Sequence, residues 1–219
     1  MNIAVKGSQE RTIELDGILT SVGLSFTRLE STKNIHSSKF DLIFDLNFDD
    51  DASSLADYAL LDASSLLMLS SVKLQLESIL PKAMWSHTIG INALPSFLKR
   101  DALEYCALSN DLSTEQLRSL PWKTLNKVDS RIGLVSARVV CMVINEAYFT
   151  LQEGTANRID IDLGMKLGTA YPYGPFEWAD MIGIKHVYEV LNAMYMDTHD
   201  DRYKICSFLK TEYLKNQAI

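Results

Sequence analysis

Three consecutive aspartates, Asp49 to Asp51, form a dense group of carboxylates that could serve as metal ligands. No histidine or cysteine accompanies them in the sequence, which weakens that interpretation. Acidic residues are also common where a helix opens, because they interact favourably with the positive end of the helix dipole. The pattern therefore predicts a solvated loop that opens a helix, and the sequence indicates no metal site.

The three cysteines, Cys106, Cys141 and Cys206, lie far apart and form no Cys-x-x-Cys pair. Each lies in an apolar or helical neighbourhood, which is typical of reduced, buried thiols in a cytosolic protein. The first residues, Met-Asn-Ile-Ala-Val-Lys, lack the basic-then-apolar order of a signal peptide. We therefore expect a cytoplasmic protein.

The 219-residue chain has a net charge of −7 and no run of lysine or arginine. A surface that follows nucleic-acid phosphates needs such positive charge, so we expect no nucleic-acid partner. The longest apolar stretch, residues 132–151, contains Arg138, Asn145 and Glu146, which a membrane span would not bury. The sequence predicts a core helix there and no membrane segment.

The elements that must position any site differ between the two parts of the chain. Short apolar runs alternate with helical periodicity up to residue 128, which is typical of a small parallel sheet flanked by helices. The predicted strands are residues 2–5, 24–29, 41–46, 66–69 and 122–128, and the predicted helices are 13–22, 55–61 and 113–120, the last capped by Ser113 or Thr114.

From Gly133 onward the periodicity is helical, with predicted helices at residues 133–154, 159–167, 176–183, 184–196 and 203–216. The sequence therefore predicts an α/β domain over residues 1–128 and an all-helical domain over 129–219. Between two of the helices, residues 168–180 read GTAYPYGPFEWAD. Gly174 before Pro175 puts a flexible backbone position beside a locked one, which builds a rigid turn. Considered alone, this turn has a structural role, with Phe176 and Trp178 filling a core.

With its flanks, this turn resembles the signature of the 3-hydroxyacyl-CoA dehydrogenase family, in particular its 3-hydroxybutyryl-CoA dehydrogenases. The similarity runs from Gly133 to Asp180, and Arg138 falls where the family has the arginine of its first long helix. The resemblance implies a shortened Rossmann-like parallel sheet domain followed by an all-helical dehydrogenase C-terminal domain. It also implies a homodimer formed through the C-terminal helices, and an acyl-CoA ligand.

The resemblance is weaker at the cofactor loop. In the family, the first strand runs into a Gly-x-Gly-x-x-Gly loop whose glycines let the backbone approach the pyrophosphate of NAD. Residues 6–11 here read Lys-Gly-Ser-Gln-Glu-Arg, so that Gly7 falls between two required positions and Glu10 adds a negative charge. Glu30 stands at the end of the second predicted strand, where a family carboxylate would hold the ribose. The resemblance implies NAD as cofactor, with only Gly7 and Glu30 as candidate contacts.

The catalytic dyad of the family is a histidine in a Gly-Leu-His-Phe-Phe-Asn-Pro stretch and a glutamate twelve residues later. Aligning Gly90-Ile91 with the Gly-Leu places Asn92 at the histidine and Glu104 at the glutamate. Asparagine does not titrate near neutral pH and cannot act as a general base. Ser70 matches the substrate-contacting serine of the family.

His87 could replace the missing base only through a shifted alignment that loses the match at Glu104; an exposed or locally bonded loop histidine is the default expectation. The active-site asparagine of the family is replaced by Ala137. The combined changes predict a 3-hydroxyacyl-CoA dehydrogenase-like protein of fatty-acid and acyl-CoA metabolism whose NAD-dependent activity is lost or altered. Two alternatives stay open: a working oxidoreductase with His87 or an unrecognised group as base, and a non-catalytic dimeric protein that binds acyl-CoA or another small molecule.

Overall fold

The computed structural model describes residues 1–110, 112 and 114–217. The chain divides into two compact units, the sheet unit Met1–Leu134 and the helical unit Val135–Ile219. The sequence placed the domain boundary after residue 128, which is the last residue of the final strand. Ser113, one of the two expected caps of the helix predicted at 113–120, lies outside the described residues.

The sheet unit is built on a seven-stranded sheet with the order β2-β1-β3-β4-β5-β6-β7. Its strands are β1 (Ile3–Lys6), β2 (Thr27–Arg28), β3 (Leu42–Asp45), β4 (Leu66–Ser70), β5 (Thr88–Ile91), β6 (Ala102–Ala107) and β7 (Thr124–Val128). All neighbouring strands run parallel except β5 and β6, which are antiparallel. The predicted α/β class with a parallel sheet is confirmed, with one antiparallel pair added.

Three helices accompany the sheet: α1 (Gln9–Ser21), α2 (Leu55–Tyr58) and α3 (Thr114–Arg118). Successive residues of a strand point to opposite faces, so the sheet has a core on each side. Phe44 and Met68 lie in the core that includes the buried face of α1, whereas their neighbours Ile43 and Leu67 lie in the opposite core.

The strand order matches that of a dinucleotide-binding sheet without one of its outer strands. Such a sheet has the order 3-2-1-4-5-6, and in the described part of this chain no strand pairs with the outer side of β2. Adjacent strands β1 and β3 are separated in sequence by α1 and β2, so the direction of winding reverses between them. The carboxyl ends of β1 and β3 therefore form a topological switch point, where open α/β sheets place their ligands.

The helical unit contains α4 (Ser136–Gln152), α5 (Arg158–Thr169), α6 (Pro175–Ile182), α7 (Ile184–Thr198) and α8 (Ser207–Gln217). Helix α4 packs against α6, α7 and α8, and its buried side chains Ile144 and Tyr148 lie in the centre of this unit. The predicted all-helical C-terminal domain is confirmed. None of the helices in the described residues is both long and apolar enough to cross a bilayer.

The turn at residues 168–180 caps α6 with a side chain from α5. The Asp162 carboxylate accepts hydrogen bonds from the backbone N–H groups of Phe176 at 2.8 Å and Glu177 at 3.2 Å. A methyl group on Gly174 would collide with the Asp162 carboxylate, so only glycine fits there. Gly174 and Pro175 therefore allow Asp162 of α5 to cap the N-terminus of α6.

Two predictions for the sheet unit need correction, and two strands were missed. The second strand, predicted at residues 24–29, pairs only at Thr27–Arg28, and the helix predicted at 55–61 ends at Tyr58. Strands β5 and β6 were not predicted. They connect the candidate site to the far edge of the sheet, so their register decides which candidate residues meet.

Candidate functional site

The switch point is closed by the two loops that follow β1 and β3. The Ser8 N–H, just before α1, donates to the side-chain oxygen of Asn47 at 2.6 Å, and the Leu46 N–H donates to the Lys6 carbonyl at 2.8 Å. A methyl group on Gly7 would lie 3.0 Å from Cβ of Leu46. The two loops therefore touch at the position where a pyrophosphate would approach the backbone.

Arg11 crosses the same position from the first turn of α1. Its side chain is 1% exposed, donates to the Leu46 carbonyl, and lies 3.7 Å from the Asp49 carboxylate and 3.0 Å from that of Asp50. Lys73, which follows β4, forms an ion pair with Asp50. We call Arg11, Asp49, Asp50 and Lys73 the switch-point ion network.

Asp49 anchors this network to the loop after β4. Its carboxylate accepts hydrogen bonds from the backbone N–H groups of Val72 at 2.9 Å and Lys73 at 3.3 Å. Burial raises the pKa of Asp49, and the nearby Arg11 and Lys73 cations oppose that shift. The prediction of a solvated loop is wrong for Asp49, whose side chain is fully buried. Asp51 does open a short helix, because it accepts from the Ser53 N–H at 2.9 Å.

A second set of polar side chains lies at the carboxyl end of β3. One oxygen of Asp45 is 3.1 Å from the Lys6 ammonium and accepts hydrogen bonds from the hydroxyls of Ser54 at 2.8 Å and Tyr58 at 2.9 Å. Burial and the Asp45 carboxylate raise the pKa of Tyr58, which stays protonated. Lys6 is therefore engaged inside the chain, as Arg11 is.

The two candidate cofactor contacts lie just beyond the carboxyl ends of β1 and β2. Gly7 packs against Leu46, and Glu30 is 88% exposed and lies 3.4 Å from Arg28 in a surface ion pair. Glu10 adds a carboxylate to the first turn of α1, where an anionic ligand would need positive potential. These residues do not fit NAD in the manner that the resemblance implies, so no chemical step at this edge is assigned to that cofactor.

The candidate catalytic residues meet at the carboxyl ends of β4 and β5. Ser70 pairs with Ile91 across the parallel ladder, and Ile91 pairs with Tyr105 across the antiparallel one. Because β5 and β6 are antiparallel, Asn92, the residue after Ile91, lies opposite Glu104, the residue before Tyr105. The register brings together the two positions that the sequence alignment assigns to the dyad.

The chemistry of these positions is limited by their side chains. Asn92 is 3% exposed, and its side-chain oxygen accepts a hydrogen bond from the Leu94 N–H at 3.2 Å, so it shapes the loop after β5. Ser70 is fully buried beside the Asp49 carboxylate, within the switch-point region. Glu104 is half-buried on β6. Neither Ser70 nor Asn92 can accept a proton near neutral pH. The dyad position of Asn92 therefore lacks the imidazole base.

His87 lies at the opposite end of β5 from Asn92. It ends the 3-10 helix Lys82–His87 and precedes β5, whereas Asn92 follows that strand. Four extended residues span about 13 Å, so His87 cannot reach the position of the missing base. The default expectation of an exposed or locally bonded histidine is also wrong. His87 is 5% exposed, and neither ring nitrogen has a hydrogen-bond partner in the described part of the chain.

Two family positions of the helical unit have structural roles. Ala137, which the resemblance aligns with the active-site asparagine of the family, is fully buried in α4. Arg138 donates to the Tyr203 hydroxyl and lies 5.5 Å from the centre of its ring. About two turns further along α4, Asn145 accepts from the Cys206 N–H at 2.9 Å and donates to the Lys204 carbonyl at 2.8 Å.

The sequence interpretation missed the switch-point ion network. A signal for it was present, because Arg11, Leu15 and Leu19 recur at a spacing of four and all three are buried on α1. An arginine on the apolar face of a helix needs a buried partner. The aspartates that supply this partner lie in a segment that the sequence predicts as a solvated loop.

Comparison with known proteins agrees with this description. Residues 133–218 match the family model described as 3-hydroxyacyl-CoA dehydrogenase, C-terminal domain. The 3-hydroxyadipyl-CoA dehydrogenase of Escherichia coli strain K12 is 37% identical over 92 residues, which cover 42% of this chain and 19% of that protein. The 3-hydroxybutyryl-CoA dehydrogenase of Clostridioides difficile is 33% identical over 99 residues, which cover 43% of this chain and 35% of that protein.

These matches span less than two thirds of either relative. A likeness in fold extends over both units: the structure of (S)-3-hydroxybutyryl-CoA dehydrogenase PaaH1 from Ralstonia eutropha aligns with a TM-score of 0.69 and 19% identity, covering 96% of this chain and 92% of that one. In the helical unit the similarity to these dehydrogenases is one of sequence. In the sheet unit it is one of fold. Residues 133–218 of this chain therefore carry the C-terminal domain of the 3-hydroxyacyl-CoA dehydrogenase family.

Proposed function

We propose that this 3-hydroxyacyl-CoA dehydrogenase-like protein serves fatty-acid and acyl-CoA metabolism without NAD-dependent hydride transfer, as a dimeric protein that binds an acyl-CoA or another small molecule. The observation that carries the proposal is the closure of the switch point by Arg11, Asn47 and Asp49. We place the protein in the cytoplasm as part of the same proposal, which its buried free thiols support.

The missing base supports the same conclusion. Oxidation of a 3-hydroxyl group requires a group that takes the hydroxyl proton as hydride leaves the carbon. Asn92 occupies the position of that group and cannot take a proton. The alternative of a working oxidoreductase with His87 as base is disfavoured, because β5 separates His87 from Asn92.

Titration of the full chain with NADH tests the proposal. We expect no change in nicotinamide fluorescence and no NADH-dependent turnover of acetoacetyl-CoA. The Ralstonia enzyme serves as a positive control in the same assay. Saturable NADH fluorescence, or turnover above the uncatalysed rate, would contradict the proposal. Calorimetric titration with acetoacetyl-CoA in the absence of NADH then tests the retained acyl-CoA binding, which we expect to be measurable.

The substitution Asn92→His separates the two defects. It restores an imidazole at the dyad position and leaves the switch-point ion network unchanged. We expect no dehydrogenase activity from this variant, because the cofactor is still not held. Turnover by Asn92→His alone would mean that the closed switch point does not prevent NAD from binding.

The proposed homodimer has a candidate surface on α4 and α5. A cavity of about 500 Å³ lies between these helices and is lined mainly by Val139, Met142, Val143, Ile161, Met165 and Pro175. Helix α5 buries none of its residues, and Ile159 and Leu167 are each 78% exposed. Contiguous apolar surface of this kind is typical of an interface. A second copy of the chain is the proposed occupant, in agreement with the family resemblance.

Sedimentation velocity tests the dimer. We expect the unmodified chain to sediment as a dimer and Leu167→Glu to sediment as a monomer, because the new charge would be buried without a partner. Val22→Glu is the matched control, since Val22 is 50% exposed on the sheet unit. A monomeric unmodified chain, or equal dissociation by both variants, would contradict the assigned interface.

A further inference from the structure

The helical unit carries a second cavity, of different chemistry from the apolar one between α4 and α5. Its volume is about 490 Å³, and residues of α4, α7 and the start of α8 line it. Pockets that bind small molecules have volumes of about 300–1,000 Å³, so the space suits a ligand of nucleotide size. Its lining combines three aromatic rings, the amide of Gln152 and two lysines: Phe149, Tyr188, Tyr195, Lys204 and Lys210.

The aromatic rings offer a surface on which a planar base can stack. Tyr188 is held by Tyr213, with ring centres 3.9 Å apart and planes within 11°. Because Tyr213 packs on Tyr188 without lining the cavity, Tyr188 is fixed before any ligand arrives. Any nucleobase can stack on an aromatic ring, because every base has a π face. A rigid ring also loses little entropy on binding.

The cations lie beside these rings. Lys204 is close enough to Tyr195 for the two to interact electrostatically, and its Nζ forms an exposed ion pair with Asp201 at 3.0 Å. An exposed pair of this kind contributes little, so Asp201 can give way to a stronger anion. Lys210 lies in the first turn of α8, and Ser207 begins that helix. The N-terminal N–H groups of α8 add positive potential to that of the two lysines.

We propose that this cavity binds a nucleoside diphosphate, with the base against Tyr188 and Tyr195 and the phosphates between Lys204, Lys210 and the start of α8. The nucleotide is either free or the ADP portion of coenzyme A, and the second case rests on the proposed acyl-CoA binding. The site is independent of the switch point, because every residue that forms it belongs to the helical unit. Local positive charge in a chain of net charge −7 is consistent with a specific anion site.

Isothermal titration calorimetry on the full chain tests the proposal with ADP, adenosine and inorganic pyrophosphate. We expect ADP to bind at least about tenfold more tightly than either fragment, since each fragment makes only part of the contacts. Coenzyme A distinguishes the two sources. Displacement of bound ADP by coenzyme A supports the coenzyme as source, and unchanged ADP affinity in its presence supports the free nucleotide, because an acyl-CoA held elsewhere on the chain does not compete.

Single lysine variants locate the site. Lys204→Gln and Lys210→Gln each remove one charge-assisted contact, and we expect each to weaken ADP binding by about tenfold. Lys215→Gln is the matched control, because it removes an exposed lysine of the same helix outside this cavity. Absence of ADP binding to the unmodified chain would overturn the proposal. So would unchanged affinity in both cavity variants, or an equal loss in Lys215→Gln.

Discussion

His87 and Asn92 lie at the two ends of β5. Only one of the two side chains can bind a proton near neutral pH, and it lies at the end away from the candidate site. The titratable residue lies at the amino edge, buried and without a hydrogen-bond partner in the described residues. The residue at the carboxyl edge, where α/β sheets carry their chemistry, does not titrate. His87 therefore influences stability, and Asn92 shapes a loop.

We expect His87 to make the protein less stable in acid. Burial lowers the pKa of His87 in the folded state, with only partial opposition from Asp62, so the unfolded chain binds the proton more readily. Stability is then fully present above the unfolded pKa of about 6.5 and falls as the pH drops below it, by at most about 1.4 kcal/mol per pH unit. Urea unfolding at several pH values measures this slope.

His87→Phe removes the proton-binding group and its two unsatisfied nitrogens from a buried site. We expect the slope below pH 6.5 to flatten in this variant, because phenylalanine binds no proton in either the folded or the unfolded state. His36→Gln, which changes an exposed histidine, is the control and should leave the slope unchanged. An unchanged slope in His87→Phe would contradict the assignment.

Gly90 is a second position where a single atom matters. A methyl group there would lie 2.6 Å from the Cys106 sulfur and closer still to the Ser71 hydroxyl, in a fully buried strand. We expect Gly90→Ala to lower the free energy of unfolding by about 1–3 kcal/mol, the usual cost of overpacking. Gly17→Ala in α1 has open space around the new methyl group and should be neutral or stabilising by up to about 1 kcal/mol. Equal effects in urea unfolding would contradict this account.

Among the elements, α6 depends on a neighbour for its N-terminal cap. Gly174 has no side chain to accept the free N–H groups of the first turn, and Asp162 of α5 accepts two of them. We expect Asp162→Ala to cost about 1–2 kcal/mol in thermal or urea unfolding. Asp180→Ala removes an exposed carboxylate of α6 itself and should have little effect. A comparable loss in both variants would mean that the effect is one of net charge.

The sequence predicts elements well where periodicity is long and poorly where pairing is made by distant strands. The helices beyond Gly133 were predicted because apolar residues repeat over many turns. Strand β5 has only four residues, one of which is Gly90, a residue type depleted in strands, and it forms because β4 and β6 pair with it on either side. The alignment of Asn92 with Glu104 followed from family resemblance, and their proximity depends on the antiparallel register of β5 and β6. The ion pair of Arg11 with Asp49 joins residues 38 positions apart, which no local pattern reveals.

At the scale of the sheet unit, the switch-point ion network ties α1 to the loops after β3 and β4. We expect Arg11→Met to destabilise the protein by about 3–5 kcal/mol in urea unfolding, because Asp49 is left buried without its cation. Adding Asp49→Asn should recover part of that loss, since asparagine still accepts the backbone N–H groups and carries no charge.

Arg28→Met is the control for this experiment. Arg28 and Glu30 form an ion pair in which both side chains are exposed, so its removal should cost no more than about 1 kcal/mol. Equal losses from Arg11→Met and Arg28→Met would contradict the structural role of the network. A loss in the double variant as large as in Arg11→Met alone would show that the charge of Asp49 is not the cause.

In the described residues β2 is an edge strand of the sheet. It consists of only two residues, Thr27 and Arg28. Open borders of sheets are templates on which other chains can add strands and form aggregates. A border this short, with a charged side chain on it, presents few free backbone groups to such growth. The short β2 therefore protects this side of the sheet against self-assembly into fibrils.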